Sequence, residues 1–180
     1  MPDRRPLRGL TAAALGAVLL SGCAGHARKA APPAPRPMAP APMPLAALGA
    51  RLATALPGAA ITIGTDAARA TLPAATLFPP DGAALRDGAA ATLEPLARLL
   101  RECGTCTAEI VAYTDAIGTA SQNQQSSELR ATAIAAALRS AGIDGTRLAA
   151  RGAGAGQPLA ASDTPAHRQL NRRIEIFMRP

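Results

Sequence analysis

Asp115 and Arg130 are the residues of this chain best placed to act on a small molecule. Asp115 closes an apolar run, Ile110-Val111-Ala112-Tyr113, that reads as a buried strand. Arg130, Ile134 and Leu138 recur at helical spacing, so Arg130 opens a stripe that otherwise enters the core. Between the two charges lies a polar stretch holding Gly118 and Asn123. A guanidinium at the head of an apolar stripe needs an anion or water, because an unpaired buried charge is very costly. The free amides of a helix N-terminus add partial positive charge at the same end. A carboxylate is drawn to Arg130, which grips it as a fork, while Asp115 offers a seat for an ammonium. One amino-acid centre carries both groups. The same spacing equally suits a plain ion pair between Asp115 and Arg130, and periodicity does not choose between the two.

The elements that must position this pair follow from pattern. Ala60-Ile61-Thr62-Ile63 alternates like a strand, with Ala68–Leu72 as its partner. Leu77-Phe78 is an apolar anchor ahead of the turn Pro79-Pro80-Asp81-Gly82. Leu93, Leu96, Ala97 and Leu100 form one helical stripe, and Pro95 places the start of that helix near Thr92, where a proline is tolerated in the first turn. The strand ending at Asp115 comes next. A second helix is predicted from about Gln124 to Ala141, with Ile134, Ala137, Leu138 and Ala141 on its apolar face and Gly142 as its stop. Arg147–Ala150 reads as a short strand, Gly152–Pro158 as a loop, and Ser162-Asp163-Thr164-Pro165 as the cap of a short helical turn. In the last strand, Arg173–Met178, Ile174, Ile176 and Met178 alternate onto one face, so the sheet is covered on one side. Strands alternating with helices imply an α/β sandwich.

Composition narrows the function classes. At 180 residues one folded domain is the default. Apolar residues make up 48%, but Phe78, Tyr113 and Phe177 are the only large rings, so the core packs through many small contacts. The net charge of +7 comes from scattered arginines, with no basic stripe and no aromatic stacking platform, which argues against nucleic acid. Cys103-x-x-Cys106 admits a redox pair, but it follows a helix rather than opening one, and a small structural disulfide across the turn is the favoured reading. Zinc lacks two further ligands at suitable spacing. Gly152-Ala153-Gly154-Ala155-Gly156 has the wrong spacing for a dinucleotide loop. His26 and His167 complete no Ser–His–Asp set, and Glu128 reads as a solvated helix residue. No catalytic centre, metal site or cofactor is expected.

Residues 1–22 read as a signal peptide, with Arg4, Arg5 and Arg8 ahead of a short apolar run from Leu10 to Leu20. Leu20-Ser21-Gly22-Cys23 resembles a bacterial lipobox, which implies a lipidated Cys23. Ala24 after it is similar to lipoproteins sorted to the outer membrane. Residues 23–58 then read as the lipidated cysteine and a tether rich in Ala and Pro. Within it, residues 24–44 carry prolines from Pro32 to Pro44 that forbid helix or sheet, so this part is expected to extend roughly 60 Å at about 3 Å per residue. Leu45–Leu56 either adds a short helix or continues the linker. The folded domain is assigned to residues 59–180.

Thr114-Asp115-x-x-Gly118-x-x-x-x-Asn123-x-x-x-Ser127-x-x-Arg130-Ala131 resembles the motif of OmpA-like C-terminal domains. Gly152-x-Gly154-x-x-x-Pro158, Asn171-Arg172-Arg173-Ile174-Glu175 and the Leu77-Phe78 anchor continue the resemblance over about residues 59–179. It implies a βαβαβ-type fold, a mixed sheet with helices on one face. It also implies non-covalent binding of peptidoglycan, Asp115 and Arg130 holding the D-centre of diaminopimelate in the stem peptide. Thr114, Asn123 and one of Arg172 or Arg173 would support the pocket. The implied setting is an outer-membrane lipoprotein whose domain faces the periplasm, with peptidoglycan as partner and a periplasmic protein as a possible second. The alternatives are a Tol–Pal-type interaction lipoprotein that works chiefly through such a partner, and a thiol-redox lipoprotein using Cys103 and Cys106. The chain departs from the motif at Ser126, where the family has Leu as a core contact, at Ala112 in place of Gly, and at Ala155 in place of an acidic residue.

Overall fold

The computed structural model describes residues 42–180. Cys23 and the signal and tether residues up to 41 lie outside them. The described chain runs α1 (Leu45–Ala55), β1 (Ala60–Ile63), β2 (Ala68–Pro73), α2 (Ala89–Cys103), β3 (Thr107–Ala112), α3 (Ala120–Ser140), β4 (Leu148–Gly152), α4 (Pro165–Asn171) and β5 (Arg173–Arg179). The strands form one sheet in the order β1-β2-β5-β3-β4. The β3–β4 pair is parallel and the others are antiparallel, so the sheet is mixed. The parallel pair is joined by α3, as a parallel connection requires a long crossover.

β5 is the last strand in sequence and the central one in space. It runs antiparallel to both β2 and β3. Its start therefore lies beside the end of β2 and the end of β3. The backbone bonds extend this past the strands: Ala74 N–H donates to Arg172 O and Tyr113 N–H to Arg173 O, both at 2.9 Å. One end of the sheet thus gathers the segments that follow β2 and β3 and the one that precedes β5.

The core lies on one face. Ala68, Ala70 and Leu72 of β2, Ala108, Ile110 and Ala112 of β3, and Ile174, Ile176 and Met178 of β5 meet the helices there. The opposite face carries paired charges: Glu109 is bonded across strands to Arg151 and Arg179, and Glu175 to Arg173 along β5 and to Arg69 across to β2. With so few rings, small residues let the layers approach. A Cβ on Gly49 of α1 would stand 2.8 Å from Ile63 Cδ1 of β1.

Three boundaries differ from the sequence reading. Leu45–Ala55 is a helix, and its Leu48, Leu52 and Ala55 are buried in the core with Leu56 just beyond it, so the folded part begins at Leu45 rather than near Ala59. The stripe of leucines outweighs the proline-rich stretch before it. α2 begins at Ala89, a turn before Thr92, from Gly88 in the left-handed region. Ala89 is buried, and Pro95 inside the helix forgoes only its own amide bond. α3 begins at Ala120 on a capping box of Thr119 and Gln122, four residues ahead of the expected start. Cys103 and Cys106 are disulfide-bonded across the turn after α2, with their Cα atoms 5.6 Å apart.

Because α1 completes the core, Leu52→Ala is expected to lower the unfolding free energy by about 2–5 kcal/mol, the range for emptying a buried leucine site. Urea denaturation checks this. A change under about 0.5 kcal/mol, the size of an ordinary surface substitution, would place α1 outside the cooperative unit.

Candidate functional site

At the gathered end of the sheet an open cleft of about 860 Å³ is lined by Asp81, Thr114, Asp115, Asn123, Arg130 and Arg172, among others. Four of the six residues assigned to the site from sequence, other than Asp115 and Arg130 themselves, divide cleanly. Thr114, Asn123 and Arg172 reach the cleft; Arg173 does not.

Arg130 is only 4% exposed. Its Nε donates to Gly82 O at 2.8 Å and its Nη2 to Pro80 O at 3.1 Å, and the guanidinium lies 5.7 Å from the centre of the Phe78 ring. Among the described residues no carboxylate oxygen comes within 4.0 Å of it. Burial pushes its pKa down, and so does the nearby charge of Arg172, while Asp81 and Asp115 oppose both. Two carbonyls use two of its five N–H donors. A cation held this way keeps N–H donors with which an anion could bond.

Asp115 does not bridge Arg130. Its Oδ2 accepts from Arg172 Nη1 at 2.5 Å, and its Oδ1 accepts from the amide of Ile117 at 3.0 Å, an Asx turn that shapes the loop ahead of α3. This pairing is not visible in the local sequence, because Arg172 caps the end of α4 just before β5 and is brought to Asp115 by the strand order. Arg173, the next residue, opens β5 and shares the strand face of Glu175, away from the core-facing Ile174 and Ile176. It is buried against the Tyr113 ring at 3.6 Å, donates to Glu175 Oε1 at 2.8 Å and to Gln157 O at 3.1 Å, and belongs to the far face of the sheet. Thr114 is anchored through its amide to Gly154 O at 2.8 Å, while its buried Oγ1 has no partner among the described residues.

Ser126, where the resemblance implies a core contact, is partly buried and lines the cleft. Sequence reasoning also missed three residues. Asp81 was read only as part of a turn. Arg168 carries no local signal and reaches the cleft from α4. Asn171, though inside a quoted motif, is a positioning residue: its Oδ1 accepts from Leu159 N–H and Ala160 N–H, and its Nδ2 donates to Ala160 O and Ser162 Oγ. Ser162 Oγ in turn accepts from Ala116 N–H, tying the α4 segment to the Asp115 loop.

The Gly-rich loop locks α3 in place. Gly154 N–H donates to Ser127 Oγ and Gly152 N–H to Glu128 Oε2, so Glu128 serves the loop rather than the cleft. A Cβ on Gly152 would lie 2.3 Å from Ser127 Oγ and 2.4 Å from Glu128 N, a contact that only Gly allows. Among the described residues no group of three His, Cys, Asp or Glu is placed to hold a metal ion, and no helix is long and apolar enough to cross a membrane.

Residues 77–172, more than half of the chain, match the OmpA family. The chain belongs to the OmpA family. The match runs from the Leu77-Phe78 anchor through the whole cleft to Arg172. The OmpA-family chain is 31% identical over 123 residues to the probable lipoprotein YiaD of Escherichia coli, covering 68% of this chain and 56% of that protein. Among solved structures it is similar to the cell wall anchor of the T6SS from Pseudomonas aeruginosa, with a TM-score of 0.63 and 26% identity over 76% of this chain and 96% of that one. It is also similar to the peptidoglycan-associated lipoprotein of Burkholderia pseudomallei, with a TM-score of 0.54 and 26% identity over 57% of this chain and 87% of that one. The chain spans about half the length of several curated relatives it matches.

Gly152→Ala is expected to destabilise the OmpA-family fold by about 1–3 kcal/mol, since the methyl must push α3 and the loop apart. Chemical denaturation measures it, and an unchanged midpoint would show that the loop does not hold α3.

Proposed function

We propose that this chain binds peptidoglycan without forming a covalent bond, and that the cleft of Arg130 and Asp115 receives a free amino-acid centre of the stem peptide. The observation that carries this reading is the buried guanidinium of Arg130, which has carbonyl partners but, among the described residues, no carboxylate, in a cleft it shares with Asp115. The ligand's carboxylate takes the free N–H donors of Arg130 in a charge-assisted bond. Its ammonium lies against Asp115, which Arg172 and the Ile117 amide hold in place. Thr114 Oγ1 and the Asn123 side chain are the neutral partners at the cleft wall. The D-centre of diaminopimelate fits this pattern. The similarity to a peptidoglycan-associated lipoprotein and to a cell wall anchor supports it.

The chain acts by holding rather than by reacting, so we read it as a binding protein and not an enzyme. We further propose that residues 1–22 are removed, that Cys23 is lipidated, and that the Pro-rich residues after it carry the domain from the outer membrane into the periplasm. The similarity to a probable lipoprotein supports this arrangement. Membrane and wall are then joined through one chain.

Sedimentation of the full chain, in detergent, with purified sacculi tests the reading. The wild type is expected to pellet with the sacculi. Asp115→Ala and Arg130→Lys are expected to lose about tenfold or more in affinity, the effect of removing one partner of a desolvated charged contact. Circular dichroism verifies that both variants are folded. Equal pelleting of all three would reject the assigned site, and a wild type that stays in solution would reject wall binding.

A further inference from the structure

The cleft holds more positive charge than one amino-acid centre can use. Arg130, Arg172 and Arg168 line it against two carboxylates, Asp81 and Asp115. This leaves one cation in surplus, and a seated zwitterion, being neutral overall, does not cancel it. Arg172 is engaged by Asp115. Arg130 is the seat of the ligand's first carboxylate on the reading above. The surplus falls on Arg168.

Arg168 is built into the wall rather than loose on the surface. Arg172 N–H donates to Arg168 O at 3.0 Å, so the two arginines are one helical turn apart and rise from the same face of α4. Arg168 Nη1 donates to Ser162 O at 3.2 Å. Ser162 is itself fixed by Asn171 and by the amide of Ala116. That one bond leaves four of the five guanidinium N–H donors unused. Among the described residues no carboxylate oxygen lies within 4.0 Å of it, and Asp163, the nearest acid in sequence, is bonded to His167 instead.

We propose that Arg168 receives a second carboxylate of the stem peptide, so that the cleft selects a ligand carrying a free amino-acid centre and a further free carboxylate over the same ligand with that carboxylate amidated. The proposal rests on the wall-binding reading and names what that site prefers. Arg130 and Asp115 hold the centre, and Arg168 reads what is attached to it. Specificity then comes from a charged donor left unmatched by the wrong ligand.

The test uses the full chain in detergent and two muropeptides whose stems end at diaminopimelate. One has both diaminopimelate carboxylates free. The other is amidated at the carboxylate remote from the free amine. Calorimetric titration of the wild type is expected to favour the free acid by about five- to tenfold, the size of one partly exposed charge-assisted contact. Arg168→Gln is expected to bring that ratio close to one, and Arg168→Lys to restore part of the preference. The proposal is overturned by a wild type that binds both ligands equally, or by an Arg168→Gln variant that keeps the preference or weakens both ligands alike. A wild type that binds neither muropeptide overturns the wall-binding reading and this proposal with it.

Discussion

A guanidinium placed almost wholly inside the protein is the constraint around which this domain is arranged. Arg130 stands on the core stripe of α3, one turn before Ile134. Water has been taken from it, and no carboxylate of the described chain replaces that water. What replaces it is weaker: the face of Phe78 and the carbonyls of Pro80 and Gly82. Those groups belong to the segment after β2, so the turn Pro79–Gly82 does more than reverse the chain. It curls two acceptors toward α3 and leaves the remaining donors toward the cleft. Such a partly compensated cation favours an incoming anion, and the cost of orienting the donors has already been met in folding.

The strand order makes this arrangement possible. β5 enters between β2 and β3 with opposite direction, and so three segments from distant parts of the sequence meet at one end of the sheet. Arg172 arrives from the junction of α4 and β5, Asp115 from the loop after β3, and the Arg130 carbonyls from the loop after β2. The close approach of Gly152 to Ser127 and Glu128 then sets α3 against β4 and fixes where Arg130 stands. No single element owns the cleft. It is a product of how the sheet is threaded.

Much of this was legible in the sequence. The limits of β1 and the buried stripe Leu93, Leu96, Ala97 and Leu100 follow from short-range period alone, and the structure agrees with both. Asp115 and Arg130 were visible as charges at the boundary of apolar runs. Their partners were not, because each lies tens of residues away. The choice between Arg172 and Arg173 could not be made locally: neighbouring residues of a strand face opposite sides, and which side holds the cleft is decided by packing. Arg168 and Asp81 were missed for the same reason. The start of α2 was misplaced because Pro95 was weighed more heavily than the buried Ala89, and α1 was left open because proline-rich sequence adjoins its leucines.

On the proposed function, the openness of the cleft is informative. A solvent-open site lined with charged groups binds modestly, since each contact is screened and competes with water. A tether changes what that modest affinity achieves. On the proposed arrangement, in which the Pro-rich residues carry the domain on a tether, stem peptides are met at an effective concentration in the millimolar range, as for flexible linkers. Occupancy can then be high while each bond remains easily broken. A wall that is continually cut and rebuilt favours such contacts, because the anchor can release one stem and take another without chemistry. Arg130, buried enough to need an anion and open enough to let it go, is suited to that exchange.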